Sequence, residues 1–166
     1  SAVPPRTAAV DKEPFESKKG RMSPGKPSRR YLQFPPAQDS YRLIAEYVAA
    51  RRGSGSLLVL LPDSRSINRL QGFLPNATVL DSSLDKSDRY RNYLAAIGGK
   101  NKLIIGTRSA IFASPSDLRT LIVFREISES LYEPRVPGWN VRDLSLIRSA
   151  NEGLDLYFAG YSPSSE

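Results

Sequence analysis

Four consecutive apolar residues, Leu121, Ile122, Val123 and Phe124, run without polar alternation and stop at Arg125. A run of this kind is how a strand reads when both its faces are covered, as in a parallel sheet with helices on either side. Residues 56–61, 77–80, 102–105 and 154–159 repeat the pattern, and residues 30–34 form a shorter candidate ended by Pro35 and Pro36. Helical spacing fills the intervals. Asp39 or Ser40 can cap a helix reaching about Arg52, with Tyr41, Leu43, Ile44, Tyr47 and Val48 on its apolar face and Gly53 as its stop. Ser64 can cap a short helix carrying Ile67 and Leu70 and ending near Gly72. Ser83 can open another, in which Tyr90, Tyr93, Leu94 and Ile97 follow the i, i+3, i+4, i+7 rule and are expected to face the core. A last helix is expected over residues 140–151, stopped by Gly153. Strands and helices alternating at crossover length predict an α/β fold: a doubly wound, mostly parallel sheet with helices on both faces.

The charge divides the chain. Residues 1–30 hold eight Lys or Arg and three Asp or Glu, which is 8 − 3 = +5, whereas residues 31–166 carry 16 − 14 = +2 of the total +7. The first thirty residues, rich in proline and without periodicity, read as a basic linker or arm, and 31–166 as one lobe. Gly20, Gly25 and Lys26 fall at the spacing of a phosphate-binding loop, but Pro27 follows where Ser or Thr is needed, and no strand or helix frames them. The absence of cysteine and histidine excludes disulfides, thiol nucleophiles and imidazole bases, and leaves no zinc-ribbon ligands. No apolar run approaches the roughly 20 residues needed to span a bilayer, so a soluble cytoplasmic chain without a membrane partner is expected.

Ligands of open α/β sheets collect at the carboxyl ends of the strands. Two such ends stand out. In LIIGTRSAIF, residues 103–112, a buried strand leads into Gly106, Thr107, Arg108 and Ser109. Backbone N–H groups there, with the planar fork of Arg108, could hold phosphate oxygens, or the segment could be an ordinary turn with a solvated arginine. The other end is Arg125, Glu126, Ile127 and Ser128. The single tryptophan, Trp139, either stacks on a base of single-stranded DNA or packs its loop onto the lobe.

The segment Gly106, Thr107, Arg108, Ser109, Ala110 and Phe112 resembles the GTRSA-x-F motif of the primosomal protein N-prime family of replication-restart helicases. The resemblance continues through residues 121–133, Pro137, Arg142, Asp143 and residues 161–164. It extends to Ala2, Val3, Pro4, Pro5 and Arg6, which are similar to the end of the family's DNA-binding portion. It implies a linker and first helicase lobe, RecA-like in fold, and an activity of ATP-driven 3′ to 5′ unwinding at abandoned forks. It also implies forked or single-stranded DNA and primosome or single-strand-binding proteins as partners. The DNA-contact candidates it suggests are Gly106, Thr107, Arg108, Ser109, Trp139 and Arg142.

The family's nucleotide chemistry is not matched position by position. Where its phosphate loop should precede the first helix stand Phe34, Pro35, Pro36, Ala37, Gln38, Asp39, Ser40 and Tyr41, with no glycine and no Lys-Ser/Thr pair. Prolines lack N–H donors, and Asp39 would repel phosphate. Where the family has Asp-Glu-Glu-His, this chain has Arg125, Glu126, Ile127 and Ser128, so a cation replaces the carboxylate that holds magnesium. The family's Ser-Ala-Thr-Pro reads Gly160, Tyr161, Ser162, Pro163. A degenerate branch of the family in high-GC Gram-positive bacteria looks similar. The expectation is therefore a nucleotide-binding fold with lost motifs, with no catalytic residue, no metal and no cofactor in this chain. The family's ATP and magnesium have no cradle here, and its zinc belongs to a region outside the chain. The alternative is an ATP-dependent lobe completed by groups elsewhere in a longer protein.

Overall fold

The computed structural model describes residues 27–51, 53, 55–99, 101–125, 128–134 and 138–161. The expected arm up to Lys26, Glu126, Ile127, Pro137, Ser162 and Pro163 lie outside the described residues. Six strands form one sheet: β1 (Arg29–Gln33), β2 (Ser56–Leu60), β3 (Thr78–Leu80), β4 (Leu103–Gly106), β5 (Leu118–Phe124) and β8 (Asp155–Gly160). Their order is β1-β8-β5-β2-β4-β3, and every pairing is parallel. Arg29 and Arg30, at the end of the expected arm, open β1. A two-stranded antiparallel ribbon, β6 (Tyr132–Glu133) and β7 (Trp139–Asn140), is the one pairing that strand-length patterning did not announce.

Among the described residues the α-helices are α1 (Ser40–Ala49), α2 (Ser64–Phe73), α3 (Lys86–Ile97) and α4 (Val141–Glu152). Ile44 and Val48 of α1 and Ile67 and Leu70 of α2 pack on Leu57 and Val59, one face of the sheet. Ala96 of α3 and Val141 of α4 pack with Leu58 and Leu60 on the other. Connections that step one way across the sheet run over one face and the returning ones over the other, as right-handed crossovers require. The central strands β2 and β5 are consequently sealed on both sides, which is why Leu121–Phe124 shows no alternation.

The caps refine three expectations. Asp63, not Ser64, caps α2, accepting from the Ser66 N–H at 2.7 Å. Asp85, not Ser83, caps α3, which therefore starts three residues later at Lys86. In each case the carboxylate wins because it accepts the orphan N–H with a full negative charge beside the helix dipole. Helix α1 ends at Ala49, short of Arg52. Gly153 takes the left-handed conformation (φ 69°) that lets α4 turn into β8.

The core expectation for Tyr90, Tyr93, Leu94 and Ile97 is corrected: all four are exposed, and α3 faces the sheet through Asn92, Ala95 and Ala96. Periodicity marks the apolar stripe but not the side on which it lies. The edge strand beneath, three residues long, accepts small side chains, and Asn92 Nδ2 donates to the Val79 carbonyl at 2.8 Å.

Several carboxylates are held ionised. Burial pushes the Asp81 carboxyl up, but the hydroxyls of Ser83 and Ser64 and the N–H groups of Ser83 and Ser82 outweigh it and leave the pKa lowered. Asp117 is likewise lowered, because hydrogen bonds from Lys102 and Ser56 overcome its burial. Over the titration window the folded chain thus binds fewer protons than the unfolded one, so stability is present above the ordinary Asp pKa of about 3.9 and lost as pH falls from there through the lowered folded-state values. Urea denaturation is expected to show a plateau near neutrality and a decline below about pH 4. Asp81→Asn should lower the plateau and flatten the decline. A stability independent of pH in that range would contradict the assignment.

Candidate functional site

Strands β1, β8 and β5 are adjacent and end level: Gln33 pairs with Gly160 and Phe124 with Ala159. The three segments singled out from the sequence are thereby brought to one place. Residues 34–41 leave β1, Arg125 and Ser128 follow β5, and Tyr161 follows β8. This is the crevice at the carboxyl edge where a nucleotide sits in folds of this kind.

Several of the chain's own side chains stand at this edge. Asp39 caps α1, its Oδ1 accepting the Tyr41 N–H at 3.0 Å, so the helix N-terminus that could hold a phosphate already holds a carboxylate. Arg69 Nη2 stands 3.7 Å from Asp39 Oδ2, and its guanidinium lies over the Tyr41 ring at 4.6 Å. The Tyr41 ring meets Phe124 edge-on at 5.3 Å, Phe34 closes on Phe124 at 6.4 Å, and the Tyr41 hydroxyl donates to Ser66 Oγ at 3.1 Å. Across the mouth the Tyr161 hydroxyl donates to Ser40 Oγ at 3.3 Å. Ala37 and Gln38 are exposed in the turn before Asp39, with the Gln38 N–H donating to the Pro35 carbonyl at 3.1 Å.

Arg125 ends β5 in the left-handed region (φ 55°), a conformation that costs a non-glycine residue about 1 kcal/mol. Its N–H donates to the Ala159 carbonyl and its own carbonyl accepts from Ser128, both at 2.8 Å. The guanidinium approaches the Phe124 and Tyr161 rings at 5.2 and 5.8 Å. Glu126 and Ile127, expected in the vestigial site, lie outside the described residues. Among the described residues no cluster of three or more His, Cys, Asp or Glu could hold a metal ion. A cation at residue 125, a carboxylate on the helix N-terminus and aromatic rings in the cradle do not fit a magnesium nucleotide. The structure also has a cleft of about 260 Å³, at the opposite edge of the sheet among Val48, Leu57, Leu74 and Leu103.

The second group gathers at the end of β4. Gly106 is buried in the ladder between β2 and β3, and the Thr107 N–H, expected to be presented to a phosphate, donates instead to the Leu80 carbonyl at 3.3 Å. Residues Arg108–Phe112 then form a 3-10 turn. Arg108 reaches the ribbon: Nη1 donates to the Tyr132 carbonyl at 2.7 Å and Nη2 pairs with Glu133 Oε2 at 3.1 Å. Ser109 is exposed on the turn. Trp139 packs edge-on against Phe112 at 5.3 Å, which is the loop-packing arrangement. Arg142 lies 5.8 Å from the Phe158 ring and 3.7 Å from Asp143. Sequence reasoning missed Arg148, which donates to the Ile111 and Ala113 carbonyls at 2.5 and 2.9 Å and clasps Glu152, fixing the turn to α4. Only its i, i+4 spacing to Glu152 was visible beforehand.

The parallel α/β fold is shared with domains of known structure. It is similar to the C-terminal domain of the Saccharomyces cerevisiae protein Dbp5 (TM-score 0.62, 14% identity, 83% of this chain and 78% of that one). It is also similar to the E. coli DExH-box NTPase HrpB (TM-score 0.52, 21% identity, 84% of this chain and 21% of that one). No protein-family profile matches the chain. Curated relatives do. The probable replication restart protein PriA of Mycobacterium tuberculosis H37Rv is 31% identical over 121 residues, 69% of this chain and 18% of that protein. The PriA proteins of Mycobacterium leprae and Thermotoga maritima are each 27% identical, over 152 and 139 residues, which is 87% and 80% of this chain. The chain is a homologue of part of the replication restart protein PriA, and spans about a fifth of the length of these relatives.

Gly106 is required by contact. A Cβ there would collide with the Ala110 methyl and lie 2.7 Å from the Leu80 carbonyl oxygen, a backbone atom that cannot step aside. Gly106→Ala is expected to destabilise the fold by about 3 kcal/mol, measured by denaturant unfolding. A variant as stable as the parent would show that the β4 end and the 3-10 turn are not packed as described.

Proposed function

We propose that this chain is a helicase-like lobe of a replication restart protein that serves as a scaffold, contacting forked or single-stranded DNA and partner proteins without hydrolysing ATP. The observation that carries this reading is the crevice occupied from within by Phe34, Asp39, Tyr41 and Phe124 and spanned by the Tyr161–Ser40 hydrogen bond. Its homology to PriA supports the replication-restart setting, and its basic charge of +7 suits a polyanionic partner. On this reading no ATP or magnesium is required. Arg108 holds the β6–β7 ribbon against the 3-10 turn, and Ser109, Trp139 and Arg142 stand around that junction as the DNA-contact candidates. Primosome and single-strand-binding proteins are the partners the setting suggests.

The rival is an ATP-dependent lobe whose missing groups come from elsewhere in a longer protein. Isothermal titration with ATP and magnesium, together with DNA-stimulated phosphate release, separates the two. The expected result is no micromolar binding and turnover at background, in the parent and equally in Arg125→Asp, because restoring one carboxylate leaves the cradle filled. Micromolar binding with turnover would overturn the proposal.

A further inference from the structure

Helix α3 carries its largest apolar side chains on the face turned away from the sheet. Tyr90 is 64% exposed, and Tyr93, Leu94 and Ile97 are 43%, 45% and 38% exposed. At i, i+3, i+4 and i+7 they make one stripe about 10 Å long. Monomers rarely leave a contiguous stripe of this kind in water, and such surfaces mark docking sites. The helix keeps its place without it, through the Asp85 cap, the Asn92–Val79 hydrogen bond and the burial of Ala96.

The charges on α3 are mostly basic. Within α3, Lys86, Arg89 and Arg91 stand against Asp88 alone, and Asp88 is already paired with Arg91 at 2.6 Å. Lys86 and Arg89, both exposed, are the excess. Aromatic and basic residues together could suit a nucleic acid strand, but half of the stripe is leucine and isoleucine, which offer no ring for a base to stack on. Aliphatic residues in a helical row instead match the ridge of a second helix.

We propose that the outer face of α3 docks an acidic amphipathic helix of a partner protein. The partner's apolar residues would cover Tyr90, Tyr93, Leu94 and Ile97, and its carboxylates would meet Lys86 and Arg89. Burial of the stripe supplies the affinity, and the charge pairs select the partner and its orientation.

Fluorescence anisotropy on the whole chain tests this with three labelled probes. They are a designed helical peptide with leucines at three- and four-residue spacing and glutamates elsewhere, the same peptide with lysines, and oligothymidylate. The glutamate peptide is expected to bind and the lysine peptide to bind at least about tenfold more weakly. Tyr90→Ser with Leu94→Ser should weaken the glutamate peptide by about tenfold or more and leave oligothymidylate unchanged. Lys86→Glu with Arg89→Glu keeps the apolar stripe and should reverse the preference between the peptides, so the charge arm stands even if the serine variant fails to fold. Equal affinity for both peptides, or no binding of the glutamate peptide, would overturn the proposal. So would loss of oligothymidylate binding in the serine variant with the peptide unaffected, which would make the face a nucleic-acid surface.

Discussion

The N-terminus of α1 offers orphan N–H groups and the positive end of a helix dipole at the carboxyl edge of a parallel sheet, and one anion can occupy it. In this chain the anion is the Asp39 carboxylate. Other side chains gather around it. Arg69 comes to Asp39 as a counter-charge and lies on Tyr41, Tyr41 turns its ring onto Phe124, and Phe34 completes the cluster. These contacts lie beside the ends of β1, β8 and β5. Arg125 takes a left-handed backbone at the end of β5, its N–H tied to β8.

A second constraint acts at the end of β4. Gly106 permits the 3-10 turn to close directly on the sheet, and two arginines fasten that turn outward. Arg108 ties it to the β6–β7 ribbon, Arg148 to α4. The guanidinium forks, which suit carboxylates and carbonyls as well as phosphates, are here engaged with the protein. The junction is therefore preorganised, with Trp139 locked on Phe112.

Much of this was legible beforehand because it rests on short-range rules. Unbroken apolar runs located the central strands, since burial on both faces removes alternation, and the crossover-length helices between them forced a parallel sheet. Asp39 and Arg125 were visible in the sequence as residues of interest at the strand ends. What they touch was not. Tyr41 reaching Ser66, and Tyr161 reaching Ser40 from 121 positions away, depend on the order of strands in the sheet. The α3 stripe shows the same limit from the other side. Its period was read correctly, but it is Asn92, bonded to the Val79 carbonyl, that meets the sheet and not Tyr90. The ribbon of β6 and β7 is two residues a side and held by Arg108, a long-range contact that leaves no periodic trace.

The Asp39 carboxylate and the Phe34, Tyr41 and Phe124 rings stand at the carboxyl edge where a nucleotide sits in sheets of this kind. Amide chemical shifts of the isotope-labelled chain, followed while magnesium-ATP is added, test this placement residue by residue. The signals of Ser40, Tyr41, Arg125 and Tyr161 are expected to stay in place up to millimolar nucleotide. A saturable shift of the Ser40 and Tyr41 amides, marking a phosphate in place of Asp39 at the N-terminus of α1, would contradict it.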